Sequence, residues 1–161
     1  DTDIYKSDQA FTQGQMITVT GIDNLNEWWI DPDFFEKQSD GALKFLPING
    51  DYRVTANAVL KYFSVMALKD GKPAKLQDDG TGVIWAIGKG IGKPSVASSE
   101  VGWEPGKALC VAQVAPKKYQ LTLKAGETLK TSGDPEVISF KFFHQNDWGG
   151  EFGKLYFSGT A

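Results

Sequence analysis

The chain has 161 residues, enough for one sizeable domain or two small ones, and its 41% hydrophobic and 12% aromatic content supports a packed core rather than a disordered coil. Its 17 basic and 20 acidic residues are interspersed and leave a net charge of −3, so there is no basic face of the kind phosphate backbones demand, which argues against nucleic acid as a partner. No apolar run approaches the roughly 18 residues of a spanning helix, no secretory leader precedes Asp1, so the chain reads as a processed or trimmed piece, and the single cysteine, Cys110 in ALCVAQV, reads as a small buried hydrophobe that can form no intrachain disulfide.

Glycines and prolines recur every several residues, and the runs between them are rich in Val, Ile, Thr, Tyr and Phe. Many short strands and few helices are expected from that pattern. In chain order, strands are predicted at Gln15–Ile22, Leu43–Leu46, Asp51–Ala56, Lys61–Leu68, Thr81–Ile87, Lys107–Val114, Lys118–Leu123, Val137–Phe143 and Lys154–Ser158. One helical turn is predicted at Asp33–Gln38, with Asp31 as N-cap and Pro32 at the first position. KDGKP at 69–73, DDGTG at 78–82 and SGDPE at 132–136 supply turns. The glycines of AIGKGIGKP lack the strand-and-helix context and the Lys-Ser/Thr ending of a phosphate cradle, and read as a mobile loop. Asp78 and Asp79 match no calcium loop spacing.

The break at Lys69–Asp79 separates halves with a shared vocabulary: an opening strand, a Trp in a following turn, an aromatic-flanked lysine (Leu43-Lys44-Phe45; Phe140-Lys141-Phe142) and a Tyr strand. Two related modules, 1–76 and 77–161, or one larger sandwich are both compatible with it. Five tryptophans punctuate the chain. Trp85, inside VIWAI, reads as core. Trp28 and Trp29 are adjacent and so point to opposite sides of an extended segment, one inward. Trp103 in EVGWEPG and Trp148 in HQNDWGGEF are flanked by loop formers and read as an exposed stacking surface, with a plug at the end of a sandwich as the alternative for Trp148. In Val137–Phe143 the period of two places Lys141 with Val137, Ser139 and Phe143, opposite Ile138, Phe140 and Phe142.

The segments IWAIGKGIG, VGWEPG, KKYQLTLKAG and FKFFHQNDWGGEF, over roughly residues 82–152, resemble the carbohydrate-binding modules of SusE/SusF-type outer-membrane lipoproteins of Bacteroidetes polysaccharide-utilisation systems. VTGIDNLNEWWIDPDFF and LKFLPINGDYRVTA in the first half look like a looser relative. The resemblance implies an all-β, immunoglobulin-like β-sandwich with no enzyme activity and no cofactor. In that family two aromatics, a Lys or Arg and an amide hold an α-glucan at the cell surface. Trp103 and Trp148 match the stacking pair and Lys141 the polar contact. The family pattern runs on past its second Trp into strands that supply an Asn, whereas this chain ends at Ala161. Also implied are a position at the outer membrane, a lipid on a residue upstream of Asp1, and association with an outer-membrane transporter complex.

The residues permit such a role. A sugar ring has an apolar C–H face that suits an aromatic plane and hydroxyls that need directional partners. Lys141, Gln145 and Asp147 near Trp148 supply those partners, and Gln145, Asn146 and Asp147 serve equally well as turn formers. Catalysis has less to rest on. His144 is the only histidine and no GxSxG motif accompanies it. The carboxylate pairs Asp31/Asp33 and Asp147/Glu151 suit glycoside hydrolysis only if held about 5–9.5 Å apart. The expectation is non-catalytic glycan capture; the alternative is a structural or interaction domain of an outer-membrane complex that touches no glycan.

Overall fold

A computed structural model describes residues 3–151. The protein is all-β, a sandwich-type chain of two small modules whose sheets are antiparallel. The first compact unit comprises Asp1–Ala74 and Ala112–Thr122, the second Lys75–Val111 and Leu123–Ala161. Among the described residues no helix is long and apolar enough to cross a membrane. The expected strand at Lys154–Ser158 lies outside the described residues.

In the first unit, β1 (Ile4–Phe11), β5 (Gly50–Asn57), β6 (Tyr62–Lys69) and β7 (Lys72–Pro73) form one sheet in that spatial order. A second, three-stranded sheet has β4 (Leu43–Phe45) between β2 (Met16–Ile17) and β3 (Phe35–Lys37). Alternation fixes which side chains go inward: Leu43 and Phe45 are buried while Lys44 between them is not. Phe45 anchors an aromatic cluster, with ring centroids 4.8 Å from both Phe11 and Tyr52 and 6.1 Å from Phe35. Each such pair adds about 0.5–1.5 kcal/mol beyond the area it buries. The Tyr52 hydroxyl, carried into this cluster, donates to the Ile48 carbonyl at 2.6 Å. Trp28 is buried against Phe63 at 4.7 Å and Trp29, half-buried, lies against Tyr62 at 5.8 Å, so the adjacent pair divides as alternation requires. A groove of about 560 Å³ opens between β1 and the irregular segment 18–22, lined by Tyr5, Gln9, Phe11, Thr20 and Phe63 among others.

Two expectations fail in this unit. Asp33–Gln38 is not a helical turn: Phe35–Lys37 is β3, paired Phe35 to Phe45 and Lys37 to Leu43. The capping signal is used for one turn only: Asp31 Oδ1 accepts from the Asp33 N–H and its carbonyl from the Phe34 and Phe35 N–H groups, after which pairing with β4 and the burial of Phe34 and Phe35 draw the chain into a strand. Gln15–Ile22 contributes only the two residues of β2, because only Met16 and Ile17 have a strand, β4, to pair with. Ile4–Phe11, by contrast, is a full strand that the sequence reading passed over.

The second unit is built on β8 (Ile84–Gly92). On one side it pairs with β12 (Ser139–Phe143), from Ser139 opposite Lys89 to Phe143 opposite Trp85. On the other it pairs with Leu109–Val111, the opening residues of β10 (Leu109–Ala115), and with β9 (Glu100–Gly102), which follows the short helix α1 (Val96–Ser99). The closing residues of β10 belong to the first unit and pair there with β11 (Lys118–Gln120). Trp85, Ile87, Ile91, Val83, Val101 and Phe143 are almost fully buried, and Cys110 is a buried free thiol.

The segment AIGKGIG is therefore a central strand, not a mobile loop. Its glycines allow close approach: a Cβ on Gly88 would fall well inside contact distance of the Phe140 Cα and the Ser139 carbonyl. On Gly90 it would meet the Lys130 carbonyl and the Ile138 side chain at 2.9 Å. Glycine inside a strand marks such sites.

Glu100 fastens this region. Its Oε2 accepts from the Gly90 N–H and its Oε1 from the Ser132 hydroxyl, both at 2.9 Å. The Ser132 hydrogen bond first, then the Gly90 N–H, hold its carboxyl below the usual carboxylate range, against the opposing effect of burial. A carboxyl lowered on folding contributes stability that is present above the unfolded value, about pH 4.3, and is lost as pH falls through the folded one. Denaturant midpoints measured between neutral pH and about pH 3 are expected to fall more steeply for the wild type than for Glu100→Gln. Parallel profiles would show that Glu100 has no such role.

Candidate functional site

Gly102 ends β9 with φ +60° and turns the chain so that Trp103 stands beyond the strand, before a 3-10 turn at Pro105–Lys107. Trp148 reaches the same place from the other side of β8. After β12 the chain folds back on itself, with the His144 N–H donating to the Gly150 carbonyl at 2.8 Å and Phe143 bridged to Glu151. Inside that loop the Gln145 side-chain amide donates to the Trp148 carbonyl at 2.5 Å, and the Trp148 N–H donates to Asp147 Oδ1 at 2.7 Å. Gln145 and Asp147 thus hold the backbone that presents Trp148.

The two indole rings meet. Their centroids are 6.4 Å apart with planes 26° from parallel, yet Trp103 remains 38% exposed and Trp148 49%. Phe143, buried in the sheet, lies edge-on to Trp148 at 5.9 Å and supports it from below. The geometry decides between two ways of holding a flat ligand. A ring sandwiched between two indoles needs two contacts of about 3.5–4 Å, hence a separation of about 7–8 Å. At 6.4 Å the indoles already touch each other, so they form one apolar shelf rather than a slot.

Lys141 is exposed on β12, where its Nζ lies 3.0 Å from Glu151 Oε2. As an ammonium with three donors it keeps two beyond that bond. The ion pair is half-exposed on both sides and contributes little to stability. Its structural meaning is positional: Glu151 is the residue bridged to Phe143, and Phe143 supports Trp148. Phe143 and Glu151 were missed as contributors to this patch. Phe143 was legible, since it shares the face of Lys141 by alternation; Glu151 had no signal beyond its charge.

The other sequence candidates lie elsewhere or serve the fold. In the first unit Asp31 and Asp33 are buried. Asp31 Oδ1 accepts from the Asp33 N–H at 3.0 Å. Asp33 accepts from the Thr122 N–H at 2.8 Å, the Thr122 hydroxyl at 2.6 Å and the Gln120 amide at 3.1 Å. Burial, with Asp31 nearby, pushes the Tyr62 phenol up to about 12. In the second unit Asp147 and Glu151 are engaged by the Trp148 N–H and by Lys141. Asp79 Oδ1 closes its own turn by accepting from the Thr81 N–H and hydroxyl. Among the described residues no group of three His, Cys, Asp or Glu is placed to hold a metal ion.

Residues 1–76 match a family model described as a domain of unknown function (DUF5125), and residues 79–158 match another, also a domain of unknown function (DUF5121). No curated protein and no solved structure matches the chain.

Proposed function

We propose that the second unit is a non-catalytic glycan-binding module that captures polysaccharide by stacking and hydrogen bonding. The observation that carries this reading is the Trp103–Trp148 pair, stacked yet substantially exposed on the loops that follow β9 and β12. Exposed large aromatics that already touch one another keep apolar surface in water, and such patches mark binding surfaces. The resemblance of the surrounding segments to SusE/SusF-type modules points the same way.

The shelf takes the C–H face of one sugar ring, and the free donors of Lys141 and the remaining amide capacity of Gln145 meet hydroxyls at its rim. A buried ring face contributes about 1.5–3 kcal/mol and each hydrogen bond nets about 0.5–1.5 kcal/mol. Set against association costs of roughly 4–15 kcal/mol, a single shelf binds weakly, about millimolar to micromolar. An α-glucan at the bacterial outer membrane, with the chain held there by a lipid on an upstream residue, is the ligand and setting that the resemblance favours.

Affinity electrophoresis through a panel of soluble polysaccharides tests the proposal. At least one glycan is expected to retard the wild type, and Trp148→Ala and Trp103→Ala are each expected to lose the shift while keeping the wild-type unfolding midpoint. Migration unaltered by every glycan would overturn the reading and favour a scaffold role in an outer-membrane complex.

A further inference from the structure

Among the described residues β1 ends its sheet, paired with β5 alone. The Asp3 carbonyl accepts from the Ala58 N–H at 2.8 Å, one step beyond the Ile4–Asn57 pair, which sets the phase of the antiparallel ladder. Residues that exchange hydrogen bonds alternate with residues that do not. Asp3, Tyr5, Ser7, Gln9 and Phe11 therefore bond toward β5, and Ile4, Lys6, Asp8 and Ala10 direct their N–H and C=O groups outward. No backbone partner meets those outward groups among the described residues. The strand is eight residues long, keeps register throughout, contains no proline, and is exposed from Ile4 to Ala10. An edge of that kind is a template for another strand.

Its charges say which strand. We infer that β1 is a homodimerisation edge, pairing antiparallel with β1 of a second copy about Ser7, so that two four-stranded sheets join into one. Outward-bonding residues must face each other, which restricts the register. Centred on Ser7, Lys6 of one copy faces Asp8 of the other twice over, Tyr5 faces Gln9, Ile4 faces Ala10, and the whole segment 4–10 is used. Shifting to the neighbouring allowed registers sets Lys6 against Lys6 or Asp8 against Asp8. Opposite charges directly across a strand pair stabilise it and like charges destabilise it. Asp8 already has Arg53 at 2.7 Å from its β5 neighbour, so Lys6 of the second copy completes a three-membered charge cluster. The inference stands apart from the glycan reading, and a dimer would carry two Trp103–Trp148 shelves.

Sedimentation equilibrium of the full chain from about 1 to about 500 µM is expected to show a monomer–dimer equilibrium. Lys6→Asp and Asp8→Lys each place like charges opposite and are expected to weaken self-association at least about tenfold. An equimolar mixture of the two variants restores both opposite-charge pairs and is expected to recover the dimer. Ser7 falls at a pair that does not exchange hydrogen bonds, with Cα atoms about 4.5 Å apart, inside disulfide range. Ser7→Cys is thus expected to cross-link under mild oxidation, and Gln9→Cys is not. A wild type that stays monomeric across the range, or a dimer that survives both charge variants without a Ser7→Cys cross-link, would overturn the inference.

Discussion

Gly88→Ala is expected to destabilise the second unit by at least about 3 kcal/mol, the scale of overpacking combined with a backbone conformation the new residue adopts poorly. Gly88 sits at φ +150° in the middle of β8, and a methyl group there meets backbone, the Phe140 Cα and the Ser139 carbonyl, rather than a side chain that could swing away. The only relief is to push β12 off β8. That movement would also carry off Phe143 and, with it, the support of Trp148. Two readouts should therefore fail together in chemical denaturation and glycan retardation: a lower midpoint for the second unit and a lost shift below that midpoint. Gly106→Ala is the control, because nothing lies within 4 Å of its added Cβ. An equal loss in both variants would show that the close approach at Gly88 is not the cause.

Asp33→Ala is expected to cost the first unit about 3–5 kcal/mol. Asp33 is fully buried, and it accepts from the Thr122 N–H, the Thr122 hydroxyl and the Gln120 amide. Removing one partner of a buried polar cluster costs more than the cluster contributes, because each orphaned donor keeps its desolvation penalty of about 1–3 kcal/mol. Asp33→Asn retains an acceptor and is expected to fall between the two, at about 1–2 kcal/mol. Urea unfolding with a probe in the first unit measures the series. An Ala variant as stable as the wild type would mean that Thr122 and Gln120 find other partners.

How much of this could be read in the sequence depended on whether a segment's local pattern agreed with its neighbours. Asp51–Ala56 and Lys61–Leu68 alternate clearly and are β5 and β6. Ile4–Phe11 escaped because IYKSDQAF is polar on both faces, as an exposed edge strand can be. Thr18–Ile22 has β-branched residues but no strand beside it, and propensity without a partner makes no ladder. The glycines of β8 read as a loop because glycine is usually loop punctuation, and only the approach of β12 to Gly88 and of Ser95 and Ser99 of the α1 turn to Gly92 shows why they are needed. At the candidate site, turn residues placed Trp103 and Trp148 at the surface correctly. Their mutual stacking depends on two strands meeting on β8, which no local pattern encodes.

The chain's path through its two units also bears on how it is made. The first unit draws on Ala112–Thr122, and the second resumes at Leu123. A ribosome delivers residues in order, and most multidomain chains finish one domain before the next is complete. Here the donors that satisfy Asp33 are synthesised only after β8 and β9 of the other unit, so the earlier module waits, unfinished, while Lys75–Val111 of its neighbour emerges. Cutting the gene between residues 76 and 77 would not separate two independent modules; it would leave the first with a buried carboxylate stripped of its donors from Gln120 and Thr122.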